Sequence, residues 1–264
     1  MPALEILTGI VTAPGTTETP LVMDSENSLS IRYADPGADI RLLNMWAHVQ
    51  GTGIFKVHSP KFHDNVQGLR FRTVVDSPVP FLPWDMNQKL YPQDDLIATL
   101  SGSATGGDIE SACLLIYYSD LPGVQARLTT SDAVRGSMVN LFVCEVSLTL
   151  GTSGNYSGVV AINDDFDLFK ANTDYAIMGY TVSTNCACIR IKGSDTGNLG
   201  IGGPGNSDKP ELTRRFFANM ADATGLPMIP VINSANKFGI FVDGATDENG
   251  ATVYVSLIMA QITQ

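Results

Sequence analysis

Asp-Ile-Arg-Leu-Leu-Asn-Met-Trp-Ala-His-Val (39–49) and Asp-Tyr-Ala-Ile-Met-Gly-Tyr-Thr-Val-Ser-Thr (174–184) are two versions of one pattern. With Asp39 laid on Asp174, Leu43, Met45, Ala47 and Val49 fall opposite Met178, Tyr180, Val182 and Thr184. These are alternate residues, so each set is expected on one face of a strand. Working outward, Phe55-Lys56-Val57-His58 matches Ile189-Arg190-Ile191-Lys192, both alternating apolar with basic as half-buried antiparallel strands do. Pro80-Phe81-Leu82-Pro83-Trp84 is echoed by Pro227-Met228-Ile229-Pro230-Val231, and Ala112-Cys113-Leu114-Leu115-Ile116-Tyr117-Tyr118 by Thr252-Val253-Tyr254-Val255-Ser256-Leu257-Ile258. The order of features is the same in both halves, and loop insertions account for the changing offset. An internal repeat of this kind decides architecture before any single residue does.

Composition points the same way. The 264 residues are 44% hydrophobic and only 16% charged, with 25 Gly and 14 Pro punctuating short runs of Val, Ile and Thr. That profile predicts an all-β chain with many turns. The expected fold is two tandem eight-stranded jelly rolls packed side by side, over residues 1–125 and 126–264. Strands are expected at 4–11, 29–33, 40–49, 54–58, 68–75, 96–101 and 112–118. In the second unit they are expected at 143–150, 158–162, 176–184, 188–192, 227–232, 238–243 and 253–262. Residues 121–137 show little periodicity and read as a connector. One short helix is expected in a loop of the second unit. Asp208 caps it, Pro210 opens it, Glu211 completes a capping box, Leu212, Phe216 and Met220 share a face, and Gly225 ends it.

The chain carries a net charge of −11, which argues against direct binding of nucleic acid, since that needs clustered Lys and Arg. No apolar run approaches the roughly 18 residues of a membrane span. Met-Pro-Ala-Leu-Glu at the start lacks the basic and apolar segments of a secretory leader. Cys113, Cys144, Cys186 and Cys188 lie in apolar strands without Cys-x-x-Cys spacing, which predicts buried thiols rather than a zinc site.

Few residues offer chemistry. His48, His58 and His63 all lie in the first unit. A metal-binding jelly roll of the bicupin type needs His-x-His, which is absent, so His48 reads as packing beside Trp46. No Gly-x-Ser-x-Gly elbow occurs. Gly202-Gly203-Pro204-Gly205 lacks the Gly-Lys-Ser/Thr of a phosphate cradle and reads as a flexible loop between strand and helix. Asn163-Asp164-Asp165-Phe166-Asp167 and Asp243-Gly244-Ala245-Thr246-Asp247-Glu248-Asn249-Gly250 offer calcium-type oxygen ligands without EF-hand order. Asp94-Asp95 and Asp108 with Glu110 are weaker candidates of the same kind. Solvated turns, with Asp and Asn at their usual positions, are the preferred reading of such loops. No residue is therefore assigned a catalytic, cofactor-binding or metal-binding role, and structural calcium at the acidic loops is the one cofactor left open. Trp46 and Trp84 form no evident sugar-stacking platform.

The duplicated β-unit, the acidic composition, the lack of a leader and the lack of a catalytic constellation resemble the double jelly-roll major capsid proteins. So does the segment Tyr117-Tyr118-Ser119-Asp120-Leu121-Pro122-Gly123. That family builds the shells of tailless icosahedral viruses with an internal membrane, in the lineage that contains adenovirus, and the chain is similar in its small size to corticovirus-like phage coats. The resemblance implies a structural protein and no enzyme. It implies homotrimers whose six jelly rolls form pseudo-hexagonal tiles, in contact with neighbouring capsomers, penton and minor capsid proteins, and membrane-associated viral proteins on the inner face. It also implies synthesis in the host cytoplasm and residence in the virion. Loops 59–67 and 193–211 would be tower or contact loops. The alternatives are a carbohydrate-binding or other jelly-roll binding protein and, less favoured, a bicupin-like metalloenzyme.

Overall fold

A computed structural model describes the chain except residues 24–28, 32–34, 36, 63, 65, 81–87, 152–155, 166, 246–249 and 264. His63, Phe81 to Trp84, Phe166 and Thr246 to Asn249 thus lie outside the described residues.

The first half contributes β1 (Ala3–Thr12), β2 (Thr19–Pro20), β3 (Val22–Met23), β4 (Leu29–Ser30), β5 (Ile40–His48), β6 (Ile54–His58), β7 (Leu69–Arg72), β8 (Gln88–Leu90), β9 (Asp95–Leu100) and β10 (Ile109–Tyr118). The second contributes β11 (Leu128–Thr129), β12 (Met138–Thr149), β13 (Val160–Ala161), β14 (Asp174–Val182), β15 (Cys186–Gly193), β16 (Ile201–Gly205), β17 (Ile229–Asn233), β18 (Ile240–Ala245) and β19 (Thr252–Ile262). Every pairing among these named strands is antiparallel. The chain is all-β, a stack of antiparallel sheets.

Four sheets form. Sheet 1 runs β2-β9-β6-β7 with β4 beside β9, sheet 2 runs β3-β1-β10-β5-β8, sheet 3 runs β13-β18-β15-β16, and sheet 4 runs β11-β17-β14-β19-β12. Apart from the two-residue strands β3, β4 and β11, the second half repeats the order of the first. In each half the first strand pairs with the last, the last with the third, and the third with the sixth. The second, seventh, fourth and fifth strands make the other sheet.

Sheet 2 is apolar on both faces, and β10 shows why. Ala112, Leu114, Ile116 and Tyr118 enter one core with Phe55, Val57 and Leu100 of sheet 1. Cys113, Leu115 and Tyr117 enter a second core shared with sheets 3 and 4, which includes Ile189, Val146 and Val255. A strand buried on both sides reads as a continuous apolar run, as 112–118 does. The larger core therefore crosses from one half of the chain to the other.

The opening repeat is corrected in one respect. Leu43 does not share a face with Met45, Ala47 and Val49: it lies in the cross-half core, whereas they lie in the core of the first half. The cause is a bulge. Leu115 pairs with Asn44 but Ile116 pairs with Leu42, so Leu43 is the extra residue and the alternation flips there. In β14 the register shifts at the matching place, between Ile177 and Gly179, around Met178. The repeat extends to the bulge itself.

Two further expectations are corrected. Gly202 to Gly205 is no flexible loop but strand β16, buried throughout. A Cβ on Gly202 would lie 1.8 Å from the Ile189 carbonyl oxygen, and one on Gly203 would lie 2.2 Å from the Tyr180 hydroxyl. Glycine is used there for close backbone approach, and Pro204 is tolerated because β16 is an edge strand. The expected helix is split into α2 (Pro210–Thr213) and α3 (Phe216–Thr224), and the connector holds a third helix, here α1 (Ser131–Ser137). Asp208 does not cap: its carboxylate takes a hydrogen bond from Asn185, and Asn206 accepts from the Lys209 amide instead. The break lets the backbone of Thr213 and Arg214 rest on Gly179, while Phe216 and Phe217 turn inward beside Tyr180. Gly225 ends α3 in the left-handed conformation (φ 69°), as the sequence predicted. Helix α1 had a readable start in Thr130, whose hydroxyl accepts from the Ala133 amide at 3.3 Å.

Candidate functional site: the seam between the halves

The sequence-derived candidates do not converge. His48 is buried at the end of β5, His58 is half-buried in β6, and His63 is outside the described residues. Among the described residues no group of three or more His, Cys, Asp or Glu side chains is placed to hold a metal ion. The acidic candidates are engaged elsewhere. Asp165 accepts from the Ser147 amide at 2.6 Å, and Asp167 pairs with Lys237. Asp94 accepts from Ser59 at 2.6 Å, and the buried Glu110 accepts from the Gln50 and Ser103 amides at 2.7 and 2.6 Å. Lys237 holds Asp167 below the usual carboxylate range.

What the fold does bring together is the seam where sheet 2 meets sheet 3. Trp46 is wholly buried, and its indole Nε1 donates to the Ala187 carbonyl at 2.6 Å. The Ile6 amide donates to the Gly200 carbonyl at 2.9 Å. The expected contact loop 193–211 is thus largely committed inside the molecule, because β16 and Gly200 pack against β1. Further along the same boundary, Asn185 donates to the Asp76 carbonyl at 2.6 Å and Asn206 to the Pro78 carbonyl at 3.2 Å.

At the middle of the seam a small polar cluster is enclosed. The Thr8 hydroxyl lies 3.6 Å from the Cys113 sulfur, and the Tyr156 hydroxyl donates to Thr8. The Cys188 sulfur lies 3.9 Å from the Tyr156 hydroxyl. Arg190 lies over the Tyr156 ring, with its Cζ 3.0 Å from the centroid, and forks onto Asp243 at 2.9 and 2.7 Å. Burial works most strongly against the Arg190 charge, but the Asp243 hydrogen bonds together with the Coulombic attraction of Tyr156, Asp243 and Cys188 outweigh it, so its pKa is raised. Burial pushes the Cys113 thiol and the Tyr156 hydroxyl upward. These groups satisfy one another and present no nucleophile to solvent. The sequence placed the thiols in strands but had no means of pairing Cys113 with Cys188, which come from different halves.

A second polar cluster anchors the connector. Arg127 forks onto the buried Asp174 at 2.9 and 2.6 Å, and Asn233 also donates to Asp174 at 2.7 Å. The Arg127 amide bonds the Asp195 carbonyl at 2.7 Å, and the Asp195 carboxylate takes the Asn233 amide and the Asn236 side chain, both at 2.8 Å.

All four cysteines are buried. Burial, then the charges of Asp165 and Asp167, pushes Cys144 up from 9.0 to about 11. Native protein is therefore expected to resist iodoacetamide at pH 8, and to be alkylated four times only in denaturant, by intact mass. Since the folded state holds the Cys144 proton more tightly than the unfolded state, this thiol's contribution to stability is lost as pH rises from 9.0 through about 11. Rapid labelling of any thiol in the folded protein would contradict the packing.

No family model matches the chain, and no curated protein matches it. Among solved structures, the chain is similar to the STIV major capsid protein. The identity is 10% and the TM-score 0.22, over 99% of this chain and 97% of that one. It is also similar to the PBSX exported protein XepA, with 7% identity and a TM-score of 0.26, over 97% of this chain and 86% of that one.

Proposed function

We propose that the chain is a structural coat protein made of two eight-stranded jelly rolls, residues 1–125 and 126–264, that tile an icosahedral viral shell as homotrimers. The observation that carries this reading is the strand order repeated in both halves. First-eighth-third-sixth in one sheet and second-seventh-fourth-fifth in the other is the jelly-roll arrangement. The seam supports it. Interlocking the two units through Trp46, Gly200 and Tyr156 makes one block, and three such blocks around a threefold axis present six similar units. The chain then acts by forming interfaces, without catalysis and without a cofactor, in the virion. Its partners are neighbouring capsomers, penton and minor capsid proteins, and membrane-associated viral proteins on the inner face.

Light scattering on the purified full chain is expected to give three times 28.2 kDa, and electron microscopy to show roughly hexagonal particles. A strict monomer at every concentration and salt condition overturns the reading. Stoichiometric transition metal in the purified protein turns it toward a bicupin-like enzyme.

A further inference from the structure

The outer edge of sheet 4 is unlike the other sheet edges. Edge strands invite pairing with another chain, and proteins blunt them by shortness, charge or proline. β3, β11, β13 and β2 have two residues each, β8 has three with Lys89 among them, β7 has four with Arg70 and Arg72, and β16 carries Pro204. β12 has twelve residues, without lysine, arginine or proline, and Glu145 is its one charge. At Ser147 the Asp165 carboxylate takes the outward amide. From Leu141 to Glu145 no backbone bond among the described residues closes that side. The same stretch is apolar toward solvent: Met138, Val139, Leu141 and Val143 are 50%, 52%, 59% and 51% exposed. Ile258 of β19, paired with Val143, is half-buried beside them.

We infer that β12 is the contact for a second copy of this chain, paired antiparallel about a twofold axis at Leu141. The pattern is self-complementary. In that register Leu141 meets Leu141 and Val143 reaches toward the bulge at Val139, where β12 shifts register against β19, so the apolar side chains cover one another while the open backbone groups at Leu141 are satisfied. The charge fits too. Each Glu145 falls opposite Ser137, beyond the end of the partner strand, so two copies of an acidic chain meet without apposed carboxylates. A register shifted toward the C-terminus would bring Glu145 onto the apolar stripe. The pairing does not require the trimer; within the coat-protein reading it joins neighbouring trimers.

The test uses the full chain with Leu141→Cys, the native thiols being buried. With oxidised glutathione, the introduced thiolate of one copy displaces glutathione to form a mixed disulfide. The introduced thiolate of a second copy then displaces the second glutathione, so two protein thiols are oxidised as one glutathione disulfide is reduced. A cross-linked species of twice 28.2 kDa is expected on a non-reducing gel. Thr149→Cys, exposed on the same strand but far from the axis, is expected to stop at the glutathione adduct. Equal cross-linking in both variants, or none in Leu141→Cys, overturns the inference. Leu141→Lys gives an independent check by sedimentation: loss of the concentration-dependent association supports the pairing, and unchanged association overturns it. The two readings fail separately. Trimers without a cross-link in Leu141→Cys sink the β12 pairing alone, and cross-linked dimers without trimers sink the coat-protein reading alone.

Discussion

Replacing Trp46 by alanine is expected to cost about 3–5 kcal/mol of stability, the range for emptying a fully buried aromatic site. Trp46 has no solvent exposure, and it touches both halves at once. Its indole fills the face of β5 that meets sheet 3, and its Nε1 ties that face to the Ala187 carbonyl at 2.6 Å. Alanine removes the ring, opens a cavity in the cross-half core and leaves the carbonyl without a donor. Trp46→Phe keeps most of the apolar volume and loses only the bond, so it is expected to cost less, about 1–3 kcal/mol. Urea unfolding at fixed protein concentration checks both. The midpoint should fall in the order wild type, Phe, Ala, with the slope held if the unfolded state is unchanged. An Ala variant within about 0.5 kcal/mol of wild type, the range of surface substitutions, would mean that the seam is not packed around this ring.

Asp243→Ala is the second large effect, with an expected loss of about 3–5 kcal/mol. Asp243 is buried on β18 and receives both arms of the Arg190 guanidinium, at 2.9 and 2.7 Å. The Arg190 side chain is 20% exposed, so water cannot replace the lost partner well. Removing the carboxylate strands a charge in the seam, and the burial that already opposes Arg190 ionisation then loses its hydrogen-bonded counterweight. The double variant Arg190→Leu with Asp243→Leu removes both charges and is expected to regain more than half of the loss, because a buried pair exchanged for packed apolar groups is often neutral. A double variant no better than the single would show that the pair contributes through specific geometry with Tyr156 rather than through charge compensation.

The legible part of this chain was the part written in alternation. β5, β6, β14 and β19 stand where period-two runs predicted them, β10 stands where an unbroken apolar run did, and the strand pattern of the first half returns in the second. The weaker strands were missed for a physical reason. β2 and β8 have two and three residues, too short for a periodic signal, and β16 is built of glycines whose hydrogen atoms are demanded by Ile189 and Tyr180 from another strand. The split helix failed in the same way. Asp208 is a good cap by type, but Asn185 claims it across 23 residues of sequence. The buried fate of the cysteines was legible; the meeting of Cys113 and Cys188 beside Tyr156 was not.

That the chain is all-β, that its strand pattern recurs, and which side chains seek the interior could be read from the residues alone, because side-chain alternation and apolar content are local quantities. Packing in three dimensions covers sheet 2 on both faces, turns Trp46 toward the seam through the bulge at Leu43, and leaves β12 as the long apolar edge. Those outcomes depend on which faces meet and on one-residue shifts of register. Each is settled by contacts between residues far apart in the chain.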